Sequence, residues 1–207
     1  TLGLPAHVTA ATGMDAMVHA IEAYASTNPN NNPISRALAV EALRLMGQVL
    51  KRAVDTPTDI EARSDMMLGS MLAGQAFANS PVAAVHALAY PIGGHYKVPH
   101  GLSNALVLPH VLRFNAEQAP QAYAELLPHI FPEVSASGTE EAATKFVDGL
   151  ITLSRACGLQ QTLREVGIER EALPMLARDA MKQTRLLVNN PRQVDEAAAL
   201  KIYEAAW

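Results

Sequence analysis

Apolar residues recur along this chain at intervals of three and four, and β-branched alternation over five or more residues is hard to find. Positions i, i+3, i+4 and i+7 share one face of an α-helix, so the pattern is helical almost throughout. It predicts helices over 13–26, 34–54, 59–79, 82–92, 101–116, 120–130, 139–157, 171–185 and 195–206. The punctuation agrees. Asn28-Pro-Asn-Asn-Asn-Pro33 is a turn-rich break, and Asn189-Asn-Pro191 breaks the chain before a last helix. Ser35 and Asp59 stand where N-caps belong, and Thr139 is followed by two acids suited to the positive end of a helix. Gly158 and Gly167 follow apolar helical stretches, as C-terminal stops do, and Gly93-Gly94 reads as a break between helices. Within 34–54, Ile34, Leu38, Leu45 and Val49 fall on one stripe, with Arg36, Glu41, Arg44 and Lys51 away from it. That marks an amphipathic helix packed on one side. Glu140, Glu141 and Lys145 read as a solvated face. With no internal repeat, linker or low-complexity stretch, the expectation is a single all-α domain of about nine helices over residues 1–207.

Composition narrows the classes. Hydrophobic residues make up 49% of the 207 and charged residues 17%, enough apolar material for a packed core and too much for disorder. The net charge is −4 with no block of Lys or Arg, so a nucleic-acid partner has no electrostatic footprint. No apolar run approaches the roughly 18 residues of a membrane span. Cys157 is the sole cysteine, which leaves no internal disulfide and no thiolate zinc site. It reads as a small buried residue in a reducing, cytoplasmic setting. The chain opens on Thr1, with no signal peptide behind it, and reads as cut from something longer or processed. Gly-x-Gly-x-x-Gly, the P-loop pattern and Gly-x-Ser-x-Gly are all missing, so no phosphate-binding loop or nucleophile elbow is visible.

The candidate chemistry rests on Asp15, His19, His86 and His100. Asp15 and His19 are four apart, which on a helix places them one turn apart on one face. His86 and His100 share a second segment, fourteen apart. One carboxylate and three imidazoles suit a divalent first-row transition metal. His100 falls at the start of a predicted helix, whose N-terminus favours the neutral imidazole that ligates metal. Each residue also has a plainer reading. Thr12-x-x-Asp15 resembles a capping box, His19 and His86 fit as core histidines, and His100 fits as a turn residue. Spacing alone leaves both readings open. His7, His110 and His129 read as surface or packing residues. His95, on a loop between two candidate ligands, is the candidate for contact with substrate or cofactor.

At these residues the sequence resembles the iron-containing (group III) alcohol dehydrogenases. Ala11-Thr-Gly-Met-Asp-Ala-Met-Val-His-Ala-Ile-Glu-Ala-Tyr24 is similar to that family's first metal-binding segment. The run from His86-Ala-Leu-Ala-Tyr-Pro-Ile-Gly-Gly-His-Tyr-Lys-Val-Pro-His100 to His110 is similar to the second, and Met181–Arg192 with the end at Trp207 resembles the family's C-terminus. The resemblance implies a dehydroquinate synthase-like helical C-terminal domain, with the N-terminal α/β domain that binds nicotinamide absent from this chain. It implies Asp15, His19, His86 and His100 as ligands of Fe(II), or of Zn(II). It further implies hydride transfer between a small alcohol or carbonyl compound and NAD(P) bound through the missing domain, and a homo-oligomer in full-length form. Some members carry a histidine four residues after the third ligand. Tyr90 stands there in this chain, as a catalytic hydroxyl or as packing in the cleft wall. The isolated chain is expected to be catalytically incompetent. Competing readings are a glycerol dehydrogenase-like or maleylacetate reductase-like relative, a metal-dependent hydrolase with Asp15 or Glu22 as base, and a helical interaction module without chemistry.

Overall fold

The computed structural model describes all residues from Thr1 to Trp207. Ten α-helices and no strand make up the fold: α1 (Ala6–Ala25), α2 (Pro33–Asp55), α3 (Ile60–Asn79), α4 (Ala84–Tyr96), α5 (His100–Ala116), α6 (Pro120–Ile130), α7 (Thr139–Ala156), α8 (Leu173–Ala180), α9 (Thr184–Leu187) and α10 (Glu196–Ala206). Two single 3-10 turns, Arg164–Val166 and Arg170–Ala172, lead into α8.

Helix α1 is the central strut. Its sequence is apolar on nearly every side, with Ala10, Met14, Met17, Val18, Ala20 and Ile21 all buried. A helix of that kind must be surrounded, and α2, α3, α5 and α6 pack around it. Helices α8 to α10 close the other side against α4 and α5. One continuous apolar core runs from Ala10 to Ala206, so the helices share a single core.

Several expectations change in detail. Helix α1 begins at Ala6, about two turns before the predicted start, behind Pro5. Thr12 therefore lies inside the helix, and its hydroxyl donates back to the Val8 carbonyl at 2.8 Å. The capping-box reading of Thr12 and Asp15 falls, because no free helical N–H groups remain there to cap. His7 belongs to α1 as well. The N-cap of α2 is Asn32. Its side chain accepts from the N–H groups of Ile34 and Ser35, while Ser35, at the third helical position, answers to the Asn32 backbone. On α2 the buried face is Ala39, Ala42, Leu43, Met46 and Leu50 with Val49, and Ile34 is exposed. The helix packs against α1, α3 and α6 together. Gly93, Gly94 and His95 lie within α4, which runs on to Tyr96 and stops where Lys97 takes the left-handed region at φ 58°. The predicted helix 171–185 splits at Met181–Gln183 into α8 and α9. Asp59 caps α3 through the Ala62 N–H as expected. Gly158 and Gly167, both at φ +79°, end their helical segments in a conformation that glycine adopts without a Cβ penalty.

Cys157 is buried beside the end of α7. Burial pushes its thiol from the ordinary 9.0 to about 11. At neutral pH the thiolate fraction is then well below that of a free cysteine, and the thiolate is the reactive form. Folded protein is expected to resist a thiol-specific dye that labels it promptly once denatured. Equal rates in the two states would show that Cys157 is exposed.

Candidate metal centre

Three helices bring the four predicted residues to one place. Helix α1 carries Asp15 and His19, α4 carries His86 on its first turn, and α5 begins with His100. Ligand atoms of Asp15, His19 and His86 all lie within 4.8 Å of one another. His19 Nε2 and His86 Nε2 face each other at 3.1 Å. Asp15 Oδ1 is 3.7 Å from His86 Nε2 and 3.6 Å from His100 Nε2. His100 closes the open side, with 47% of its side chain exposed where His86 has 2%.

Close helix packing makes this convergence possible. Gly101 sits against α1, where an added Cβ would lie 2.3 Å from the Ala11 carbonyl oxygen and 3.3 Å from Asp15 Cβ. Only a residue without Cβ lets α5 approach α1 this closely and bring the neighbouring His100 to Asp15.

The groups around the four fix their orientation. Glu22, two turns beyond Asp15 on α1, is buried and sets Oε2 2.6 Å from His86 Nδ1. Its Oε1 accepts the Val85 N–H at 2.7 Å. The fully buried Asn104, one turn along α5 from His100, donates its amide N–H to Asp15 Oδ1 at 2.6 Å. The same Nδ2 lies 3.3 Å from His86 Nε2 and 3.2 Å from His100 Nε2. Phe77 of α3 stacks on the His19 ring at 4.7 Å. Tyr90 stands at the rim, its ring 5.8 Å from that of His100 and 6.4 Å from that of His86. It also lines a cleft of about 180 Å³ with Lys182, Gln183, Thr184, Arg185 and Leu186. His95 pairs with Asp179 at 2.6 Å on an exposed surface. A cleft of about 510 Å³ between α5 and α10 includes none of the four.

Burial, helped by the charge of His86, holds the His19 imidazole below its ordinary pKa. Burial also pulls on His86, but the hydrogen bond and charge of Glu22, with Asp15, outweigh it and leave that pKa raised. The donor chemistry fits a divalent cation. One carboxylate oxygen and imidazole nitrogens converge at 3.1 to 3.7 Å. Two donors each about 2.1 Å from a shared ion stand about 3.0–3.4 Å apart at octahedral to tetrahedral angles. The ring nitrogens of His19 and His86 facing each other at 3.1 Å, beside the Asp15 carboxylate, make a donor set that a cation would fit, with release of any proton held between them.

Sequence reasoning weighed Glu22 only as a base and passed over Asn104 and Phe77. The signal for Glu22 was present, since Asp15, His19 and Glu22 follow the i, i+4, i+7 stripe of one helix face. Asn104 stands at i+4 from His100, a weaker signal of the same kind. Nothing local marks Phe77, which reaches His19 only through the packing of α3 on α1.

With this all-helical fold and this convergence of donors, the chain belongs to the Fe-containing alcohol dehydrogenase family, whose C-terminal profile matches residues 9–207. It is 42% identical over 207 residues to the long-chain-alcohol dehydrogenase 1 of Geobacillus thermodenitrificans (strain NG80-2), covering 100% of this chain and 52% of that protein. It is 38% identical over 206 residues to the 1,3-propanediol dehydrogenase of Klebsiella pneumoniae, again with 100% and 52% covered. A crystal structure of 1,3-propanediol oxidoreductase superposes with a TM-score of 0.95 at 38% identity, covering 100% of this chain and 53% of that one. The chain thus spans about half the length of the relatives it matches.

Proposed function

We propose that this chain is the metal-holding half of an alcohol dehydrogenase acting on a small alcohol or carbonyl compound, with Asp15, His19, His86 and His100 as the ligands of one Fe(II) or Zn(II). The observation that carries the reading is the convergence of a carboxylate and imidazole nitrogens from three helices, two of them 3.1 Å apart. A cation held by these four residues would supply Lewis acidity toward an alcohol or carbonyl oxygen, and a nicotinamide on a separate domain would be the hydride carrier. The chain's own residues do the positioning. Asp15 offsets one positive charge, and the three imidazoles bind as neutral donors without discriminating sharply between the two metals. Asn104 holds Asp15 by its amide. Phe77 shields one face of His19 from water, and Tyr90, whose ring lies 5.8 Å from that of His100, is the side chain this reading assigns to hydrogen-bond a substrate oxygen. The names of the relatives, for long-chain alcohols and for 1,3-propanediol, support an alcohol as substrate. Glu22 disfavours the hydrolase alternative, because both its oxygens are engaged by α4 and neither is free to serve as a base.

The nicotinamide must come from protein outside residues 1–207. The chain alone is therefore expected to bind about one equivalent of divalent metal and to show no alcohol-dependent reduction of NAD or NADP. Joined to the domain that precedes it in family members, it is expected to turn over, and a chelator is expected to stop it. Turnover by the joined protein that survives stripping of the metal would overturn the reading.

A further inference from the structure

Glu22 is the least expected group near the centre. It is a carboxylate, its side chain is 4% exposed, and no lysine or arginine lies against it. A buried charge without partners is costly, so its surroundings must repay the desolvation. They do so from α4 alone. Oε1 takes the Val85 N–H at 2.7 Å and Oε2 meets His86 Nδ1 at 2.6 Å. Helix α4 starts behind Ala83, which offers no side chain to its free N–H groups. Glu22 therefore caps α4 from a different helix and grips the ring of the residue next to the capped amide.

From this geometry we propose that Glu22 is the positioning residue that dictates which nitrogen of His86 carries the proton, and so makes His86 a ligand. The inference rests on the metal reading above and adds a residue to it. An ionised carboxylate only accepts hydrogen bonds. A neutral His86 must then place its single proton on Nδ1, between the ring and Glu22 Oε2. Nε2 is left as an acceptor whose lone pair faces His19, Asp15 and the Asn104 amide where the other donors converge. The capping bond to Val85 locks the carboxylate plane and with it the ring. Helix α1 thus supplies Asp15 and His19 as donors and, one turn further on, the group that prepares the third.

A merely structural Glu22 would tie α1 to α4 without caring about the proton, and Glu22→Gln separates the two roles. Glutamine keeps a carbonyl oxygen for the Val85 N–H, so the cap and the packing survive. Its amide presents N–H to His86 Nδ1, so the ring must move its proton to Nε2 and point N–H at the centre. The test compares wild type, Glu22→Gln and Glu22→Asp by two readouts. One is the histidine tautomer in the metal-free chain, from long-range nitrogen–proton NMR in mildly alkaline buffer. The other is zinc affinity, from competition with a chelating dye. Wild type is expected to carry the His86 proton on Nδ1. Glu22→Gln is expected to carry it on Nε2 and to bind zinc about ten- to a hundredfold more weakly. Glu22→Asp, acceptor-only but one methylene shorter, is expected to favour the Nδ1 proton less strongly than wild type, and the wild-type tautomer by itself tests the inference if the glutamine variant folds poorly. A wild-type His86 with its proton on Nε2, or a folded Glu22→Gln that binds zinc as tightly as wild type, would overturn the inference. A wild type with the proton on Nδ1 that binds no zinc would overturn the metal site and support the Glu22–His86 arrangement.

Discussion

His86→Ala and His100→Ala are each expected to weaken metal binding by well over a hundredfold, yet to differ in their effect on the fold. Loss of a direct ligand exceeds the ten- to hundredfold typical of a group one shell out. The two residues differ in burial and in what they leave behind. His86 is 2% exposed, and its removal orphans the buried Glu22 Oε2. A buried acceptor without its partner costs about 1–3 kcal/mol, more when charged, and the lost ring leaves a void besides. His100 is 47% exposed, and the hydrogen bond it gives up, to Asn104, leaves that amide still bound to Asp15. Its truncation is expected to shift stability by no more than about 0.5 kcal/mol. Denaturant unfolding of the metal-free variants, run beside zinc titrations, checks both parts. Full zinc binding by either variant would remove that residue from the ligand set. Equal unfolding midpoints would show that Glu22 does not depend on His86.

Gly101→Ala is expected to harm both the fold and the site, although it adds a single methyl group. The new Cβ would stand 2.3 Å from the Ala11 oxygen and 2.7 Å from the Ala11 carbonyl carbon, distances that no rotamer change relieves because both atoms are backbone. Helix α5 must retreat from α1, at a cost of about 1–3 kcal/mol or more for forced overpacking. His100 precedes the substituted residue and Asp15 lies one turn beyond Ala11, so the retreat opens the very pair at 3.6 Å that completes the donor set. Sites of this kind tolerate about 0.5 Å of error, and zinc affinity is expected to fall at least tenfold. Gly74→Ala is the matching control. It lies inside α3 with nothing near its would-be Cβ, and alanine there is expected to stabilise by about 0.5–1 kcal/mol. A Gly101→Ala protein with wild-type stability and wild-type zinc affinity would mean that α1 and α5 are not held at this distance.

Long stretches of the fold were legible because helical periodicity and capping chemistry are local. Asp59, Gly158 and Gly167 marked helix ends by mechanisms that act within a turn. Helix α1 extends back to Ala6, directly behind Pro5, although Ala6 and His7 are exposed and burial begins only at Thr9. The other errors arose where tertiary packing overrode those signals. Gly93 and Gly94 remain helical despite their entropy cost, since α4 is held from both sides by α5 and α8. The break between α8 and α9 falls at Met181–Gln183, where no glycine or proline announces it. That Asp15 and His19 share one helix face could be read from helical spacing alone. That His86 and His100 meet them is a fact of how α4 and α5 cross α1. The family resemblance implied that meeting, and spacing could not. Glu22 sat in view on the same stripe, but its role shows only when α4 lays His86 and the Val85 amide against it.

The central claim is that Asp15, His19, His86 and His100 together hold one divalent ion. Crystals of the chain loaded with Zn(II), measured on both sides of the zinc absorption edge, test it most directly. The account predicts a single strong anomalous peak about 2.0–2.2 Å from Asp15 Oδ1 and from the Nε2 atoms of His19, His86 and His100. No peak among these four residues, or zinc held only by groups elsewhere such as His95 and Asp179, would contradict it.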